Sequence, residues 1–188
     1  MNETGARRPT REKGLFALVR ADVAAKAQWI YGAASSKSVL KAVFTDGTFA
    51  MIVYRLMQAC QRLRLVPLAM VCNKLNVLLG QCVIGRGACF GPGFVLVHSQ
   101  GVVINTAVRG GCHVILEHQV TLGAEKGESP ALGDRVFVGA GAKVLGKVRI
   151  GNDARIGANA VVLDDVPDGA TAVGVPARLV VKRTDGSP

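Results

Sequence analysis

The chain is poor in aromatics, in histidine and in paired cysteines, and each shortage closes off a class of protein. Six Phe, two Tyr and one Trp in 188 residues exclude a large aromatic core. Aromatics do not interleave with the basic residues, so a platform for single-stranded nucleic acid has little support. The five cysteines, Cys60, Cys72, Cys82, Cys89 and Cys112, are odd in number and make no C-x-x-C pair. Neither a disulfide framework nor a zinc knuckle is indicated, and a reducing cytoplasm is the expected compartment. Three histidines without an i, i+4 pair and without clustered carboxylates give no metal site. A Walker A sequence is missing, and the GRG at residues 85–87 is followed by no helix, so its likeness to a dinucleotide fingerprint is accidental. The longest apolar run, residues 65–80, carries Lys74 and is too short to span a bilayer. The polar, charged first thirteen residues lack the layout of a secretory signal.

What is abundant is glycine, 23 residues, with 49% hydrophobic residues and a net charge of +10. That mixture excludes wholesale disorder and points to frequent tight turns. The charge is lopsided. Residues 1–80 hold twelve Lys or Arg against four Asp or Glu, whereas residues 81–188 hold eleven against nine. A basic front and a nearly neutral back imply two regions: a basic tail over 1–14 and a helical segment over 15–80, then a second domain over 81–180 and a tail over 181–188. Helical spacing of Met51, Tyr54 and Met57, breaks at Gly47 and around residues 32–38, and Pro67 in the first turn of a helix stopped by Gly80 predict two to four helices. The plain role of this segment is to cap the repeat fold behind it. The sharper one is a basic surface lying on the inner face of an anionic membrane.

From Ile84 the periodicity changes. Every sixth residue, Ile84, Phe90, Leu96, Val102, Val108, Val114, Val120, Lys126, Leu132, Val138, Val144, Ile150, Ile156 and Val162, is apolar except Lys126. In the second half the residue four places on is small or aliphatic: Val136, Ala142, Val148, Ala154, Ala160, Val166. Neither a helix nor an ordinary strand has period six; a parallel β-helix with triangular coils does, at three hexads per coil. An unbroken phase over fourteen positions predicts four to five coils, with Lys126 in a loop over 124–129 that leaves the coil. A β-sandwich would instead alternate with period two.

The runs FGPGFVLVHSQGVVIN (90–105), HQVTLG (118–123), LGDRVFVGAGA (132–142) and GVPAR (174–178) resemble the hexapeptide-repeat acyltransferases, within them the group of serine acetyltransferases and colanic acid (exopolysaccharide) acetyltransferases. About half the chain carries the resemblance. It implies a left-handed β-helix, a homotrimer, and acetyl-CoA bound in grooves between subunits. Serine acetyltransferases carry Asp where this chain has Val97 and a second histidine where it has Ser129.

Acetyl transfer to an alcohol needs a base for the hydroxyl proton, donors for the tetrahedral oxyanion and a hold on the long thiol. Imidazole suits the first task. From spacing alone His98 reads more readily as a surface or core histidine; the resemblance makes it the general base. His118, one coil on, stands to orient the acceptor, contact the cofactor or fill an interface. Asp134 or Glu117 is a candidate to orient His98, although a corner Asp more often forms the turn. Ala140 and Ala158, after Gly139 and Gly157, offer main-chain amides for acetyl-CoA, with Gly123 a coil earlier. Lys143, Arg178, Lys182 and Arg183 are candidates for its phosphates. The expectation is therefore an acetyl-CoA-dependent O-acetyltransferase acting on a sugar hydroxyl in exopolysaccharide assembly. Serine is the alternative acceptor and a non-catalytic β-helix scaffold the third reading.

Overall fold

The computed structural model describes residues 14–180. Four helices come first: α1 (Leu15–Tyr31), α2 (Ser36–Val43), α3 (Thr48–Arg62) and α4 (Val66–Leu78). Their ends follow from local chemistry. Gly32, at φ 70°, closes α1 in the left-handed conformation that glycine adopts freely. Ser35 caps α2 by accepting from the Ser38 N–H at 3.2 Å. Pro67 lies in the first turn of α4, where a missing N–H costs nothing. None of these helices is long and apolar enough to cross a membrane.

Fifteen short strands, numbered in chain order, then wind into a three-sided prism. The first face stacks β1 (Val83–Ile84), β4 (Val103–Ile104), β7 (Thr121–Gly123), β10 (Lys143–Leu145) and β13 (Val161–Val162). The second stacks β2 (Cys89–Phe90), β5 (Arg109–Gly110), β8 (Ala131–Leu132) and β11 (Arg149–Ile150). The third stacks β3 (Val95–Leu96), β6 (Ile115–Leu116), β9 (Phe137–Val138), β12 (Arg155–Ile156) and β14 (Thr171–Val173). All these pairs are parallel; β15 (Arg178–Leu179) returns antiparallel on β14. Each strand of the parallel stacks turns its second residue inward, so Ile84, Leu96, Ile104, Leu116, Leu122, Val138, Val144 and Ile156 are buried in one continuous core.

The six-residue phase is not unbroken, which corrects the sequence reading. Val83 pairs with Val103, Val103 with Thr121, Thr121 with Lys143 and Lys143 with Val161, so successive coils take 20, 18, 22 and 18 residues. Leu96 to Ile104 spans eight residues rather than six, and Leu122 to Leu132 spans ten. The surpluses of two and four restore the count. Between them the sixth-residue rule lands on Val102, Val108, Val114 and Val120, which are buried as well but occupy the other inward position of the hexad. The true strand anchor beside Val108 is Gly110. A Cβ there would lie 2.2 Å from the Phe90 ring: Phe90, one coil earlier, fills the space that a larger residue would need.

The helices seat on the first coil and satisfy main-chain groups that a stacked coil would otherwise bond. Asn73 Nδ2 donates to Ile84 O at 2.7 Å, and Tyr54 Oη to Ala88 O at 3.2 Å. Arg55 donates to Phe90 O and Gly91 O at 2.9 and 2.7 Å. Asp22 Oδ1 accepts from the N–H groups of Gly93 and Phe94 at 2.8 and 3.0 Å, and Lys26 Nζ donates to Leu96 O at 2.9 Å. Stacked Phe90 and Phe94 rings, 4.3 Å apart, meet Tyr54 edge-on and plug the end of the prism.

Candidate active site

The edge between the third and first faces collects the chemistry. The third face aligns Leu96 with Leu116, Leu116 with Val138, and Val138 with Ile156. Two residues beyond each anchor stand His98, His118, Ala140 and Ala158, one above the other at the coil spacing of about 4.8 Å. The turn at each level uses a left-handed residue: Gly101 at φ 69°, Gln119 at 57°, Gly141 at 72° and Asn159 at 56°. The two-residue surplus of the first coil falls at this edge, between Leu96 and Ile104, so the loop bearing His98 bulges out of the prism.

His98 is half-exposed, and its ring lies 6.0 Å from that of His118, edge-on at 73°. Its Nδ1 is 3.3 Å from Oδ2 of Asp46, a residue of the α2–α3 connection. His118 Nδ1 is buried without a hydrogen-bond partner, and Glu117 Oε2 approaches it only to 3.8 Å. Below the histidines, the main-chain N–H groups of Ala140 and Ala158 make no hydrogen bond among the described residues, whereas their neighbours do: Gly141 N donates to His118 O and Asn159 N to Ala140 O. Lys143 Nζ donates to Gln119 O at 2.6 Å, which holds an ammonium beside the same edge. Outward amides one coil apart, small side chains and a nearby cation match a long acyl carrier that bears amides and phosphates. The observation that carries this fit is the pair of unpartnered N–H groups.

Other expected residues lie elsewhere. Gly123 ends a first-face strand, paired with Leu145, on the far side of that face from the histidine column; the position one coil before Ala140 is His118. Asp134 sits at the edge between the second and third faces. There its Oδ1 accepts from Cys112 N at 2.7 Å, so it ties the corners of two adjacent coils, and the carboxylate beside His98 is that of Asp46. His113 is on that second edge too, exposed and at φ 55°. Arg178 belongs to β15, with Nη1 donating to Ala177 O; Lys182 and Arg183 lie outside the described residues. A groove of about 780 Å³ runs along the second face past Lys147, Arg149, Asp165 and Asp168, away from the histidines. In a single chain the histidine edge is a ridge.

Sequence reasoning missed Asp46 and Lys26. Asp46 comes from a helix connection 52 residues before His98, and only the docking of the helices brings it there. Buried Lys26 donates to both Asp46 O and Leu96 O. No spacing rule reaches either residue, although Gly47 marked the break between helices.

The comparisons agree with this fold. Residues 130–164 match the bacterial transferase hexapeptide (six repeats) family. A serine acetyltransferase of Helicobacter pylori strain J99 is 44% identical over 140 residues, which is 72% of this chain and 82% of that protein. The solved apoenzyme of soybean serine acetyltransferase superposes with a TM-score of 0.80 at 33% identity, covering 88% of this chain and 69% of that one. A serine acetyltransferase solved in complex with CoA gives 0.76 at 31% identity, covering 86% and 68%. With its helical front, its left-handed parallel β-helix of about four turns and this degree of likeness, the chain belongs to the serine acetyltransferase family of hexapeptide-repeat O-acetyltransferases.

Proposed function

We propose that the chain transfers the acetyl group of acetyl-CoA to the hydroxyl of serine, with His98 as general base. The observation that supports the reading best is the single column holding an exposed imidazole, a second histidine and, below them, the two unpartnered amides. Acetyl-CoA lies along that column, its amide-bearing arm against Ala140 and Ala158 and its phosphates toward Lys143. His98 takes the hydroxyl proton as the oxygen attacks the thioester carbon. The C–O bond forms, the C–S bond breaks, and the thiolate leaves with the proton that His98 returns. Direct attack needs no covalent acyl-enzyme. A neighbouring copy in a homotrimer turns the ridge into a cleft and excludes water from the thioester.

The sugar acceptor expected from sequence gains no support from the relatives compared, which are serine acetyltransferases, and serine takes its place. A sugar hydroxyl stays as the second reading on one observation. Serine carries an ammonium and a carboxylate, yet half-buried Val97 offers no charge beside His98, and Ser129 Oγ is engaged with Asn105 Oδ1 at 3.1 Å.

The test is thiol release from acetyl-CoA by purified protein. Saturable release with serine is expected; release with nucleotide sugars or oligosaccharides but not with serine would replace the acceptor. His98→Ala should lower kcat by about 10²- to 10⁴-fold, and an unchanged rate would remove His98 from the mechanism.

A further inference from the structure

We propose that Asp46, delivered by the helical segment, is the positioning residue for His98: its carboxylate accepts the Nδ1–H and leaves Nε2 free to take the acceptor's proton. This deepens the reading of His98 as base and rests on it.

The geometry carries the assignment. The Nδ1–Oδ2 distance is 3.3 Å, and among the charged groups of the described residues around the ring Asp46 is the one in direct reach. The others are His118, ring to ring at 6.0 Å, Glu117, which faces His118, and Lys26, which holds the main chain of Asp46. An imidazole is a good base at one nitrogen only when the other carries the proton, and a carboxylate on that proton fixes both tautomer and ring direction.

An exposed carboxylate on a free loop would be a weak orienter; this loop is not free. Lys26 is fully buried and its ammonium joins Asp46 O to Leu96 O, tying the loop to the strand that ends two residues before His98. Gly47 adds a second tie. At φ 79° it begins α3, and a Cβ on it would lie 2.5 Å from Leu96 O, so a glycine lets the loop rest directly on the coil. Thr45 and Thr48 hydroxyls both donate to Ala42 O, at 2.8 and 2.7 Å, and fix the turn from the other side. One buried lysine and one glycine thus set the distance between a helix connection and a coil corner far apart in sequence. With Val97 beside His98, no carboxylate from the coil itself takes this place.

The experiment pairs kinetics with nitrogen-15 spectra of the histidine rings, using full-length Asp46→Ala, Asp46→Asn and His98→Ala proteins. With three histidines in the chain, the His98 signals are those lost in His98→Ala. Expected for the parent is the tautomer protonated at Nδ1, shifting toward the Nε2-protonated form in Asp46→Ala. kcat should fall about tenfold, a fraction of the cost of a misplaced reacting group, while KM for acetyl-CoA and for the acceptor stays put. Asp46→Asn, whose amide oxygen still accepts, should keep the tautomer and recover part of kcat. An unchanged tautomer and kcat in Asp46→Ala would overturn the proposal. So would an effect confined to the acceptor's KM, which would make Asp46 an acceptor contact, or a kcat loss matched by equal loss in Asp46→Asn and by a lower melting temperature in both. Undiminished transfer by His98→Ala would sink the reading of His98 as base, while the spectra would still report whether Asp46 holds the ring.

Discussion

Two buried cations decide how the helices meet the prism. Arg55 is 1% exposed, paired with Asp22 at 2.6 Å, and also donates to Gln58 Oε1 at 2.8 Å. Burial pushes the Asp22 carboxyl up, while Arg55 and the N–H groups of Gly93 and Phe94 pull it back. Removing one partner leaves an uncompensated buried charge, so Arg55→Met should cost about 3–5 kcal/mol in urea unfolding; a loss below 1 kcal/mol would show that the pair contributes little. Lys26 titrates instead. Burial lowers its pKa to about 8 against the ordinary 10.5, although Asp46 opposes the shift. Below pH 8 both folded and unfolded chains hold this proton and the burial penalty is complete. Between pH 8 and 10.5 the folded chain releases it first, so the folded state gains stability as pH rises. Urea midpoints of the parent, measured relative to Lys26→Met, should therefore climb from pH 7.5 to 10, and parallel midpoints would show that Lys26 does not titrate there.

At the level of elements, the α2–α3 connection and the corner after β3 act as one unit. Gly47→Ala places a methyl group against Leu96 O in a left-handed conformation. A cost of about 1–3 kcal/mol is expected, read as a lower melting temperature, together with a lower kcat because Asp46 moves with the loop. An unchanged melting temperature would mean that the loop yields without loss. This junction was hidden in the sequence for a physical reason. Hexad periodicity reports which residues face the core within a coil, and it found the prism, its inward aliphatics and the Lys126 loop. Contacts between a helix connection and a coil have no period. The lengthened corner at His98 was hidden too, because both inward positions of a hexad are aliphatic and a surplus of two followed by one of four returns to the same count. The stacking of Ala158 on Ala140 was legible because the coil between them has the regular 18 residues; Gly123 was misplaced by the ten-residue step that begins at Leu122.

On the scale of the whole molecule, the prism exposes Val103, Leu163, Val173, Val175 and Leu179, apolar side chains that a monomer in water leaves unpaired. Sedimentation equilibrium should give a mass three times the 19.6 kDa of the chain, in keeping with a site completed between copies; a monomer that retains full activity would place the whole site on one chain. Both ends of the prism are occupied as well. The helices bond the first coil. At the other end β15 doubles back on β14, Ala177 N donates to Val161 O, and Val166 closes on Arg149 and Gly151. A stack of parallel strands is otherwise a template that can recruit further chains along its axis. With the first coil bonded by the helices and the last by β15, the strand edges at both ends of the prism already have partners from the same polypeptide, which disfavours fibril growth by axial strand addition.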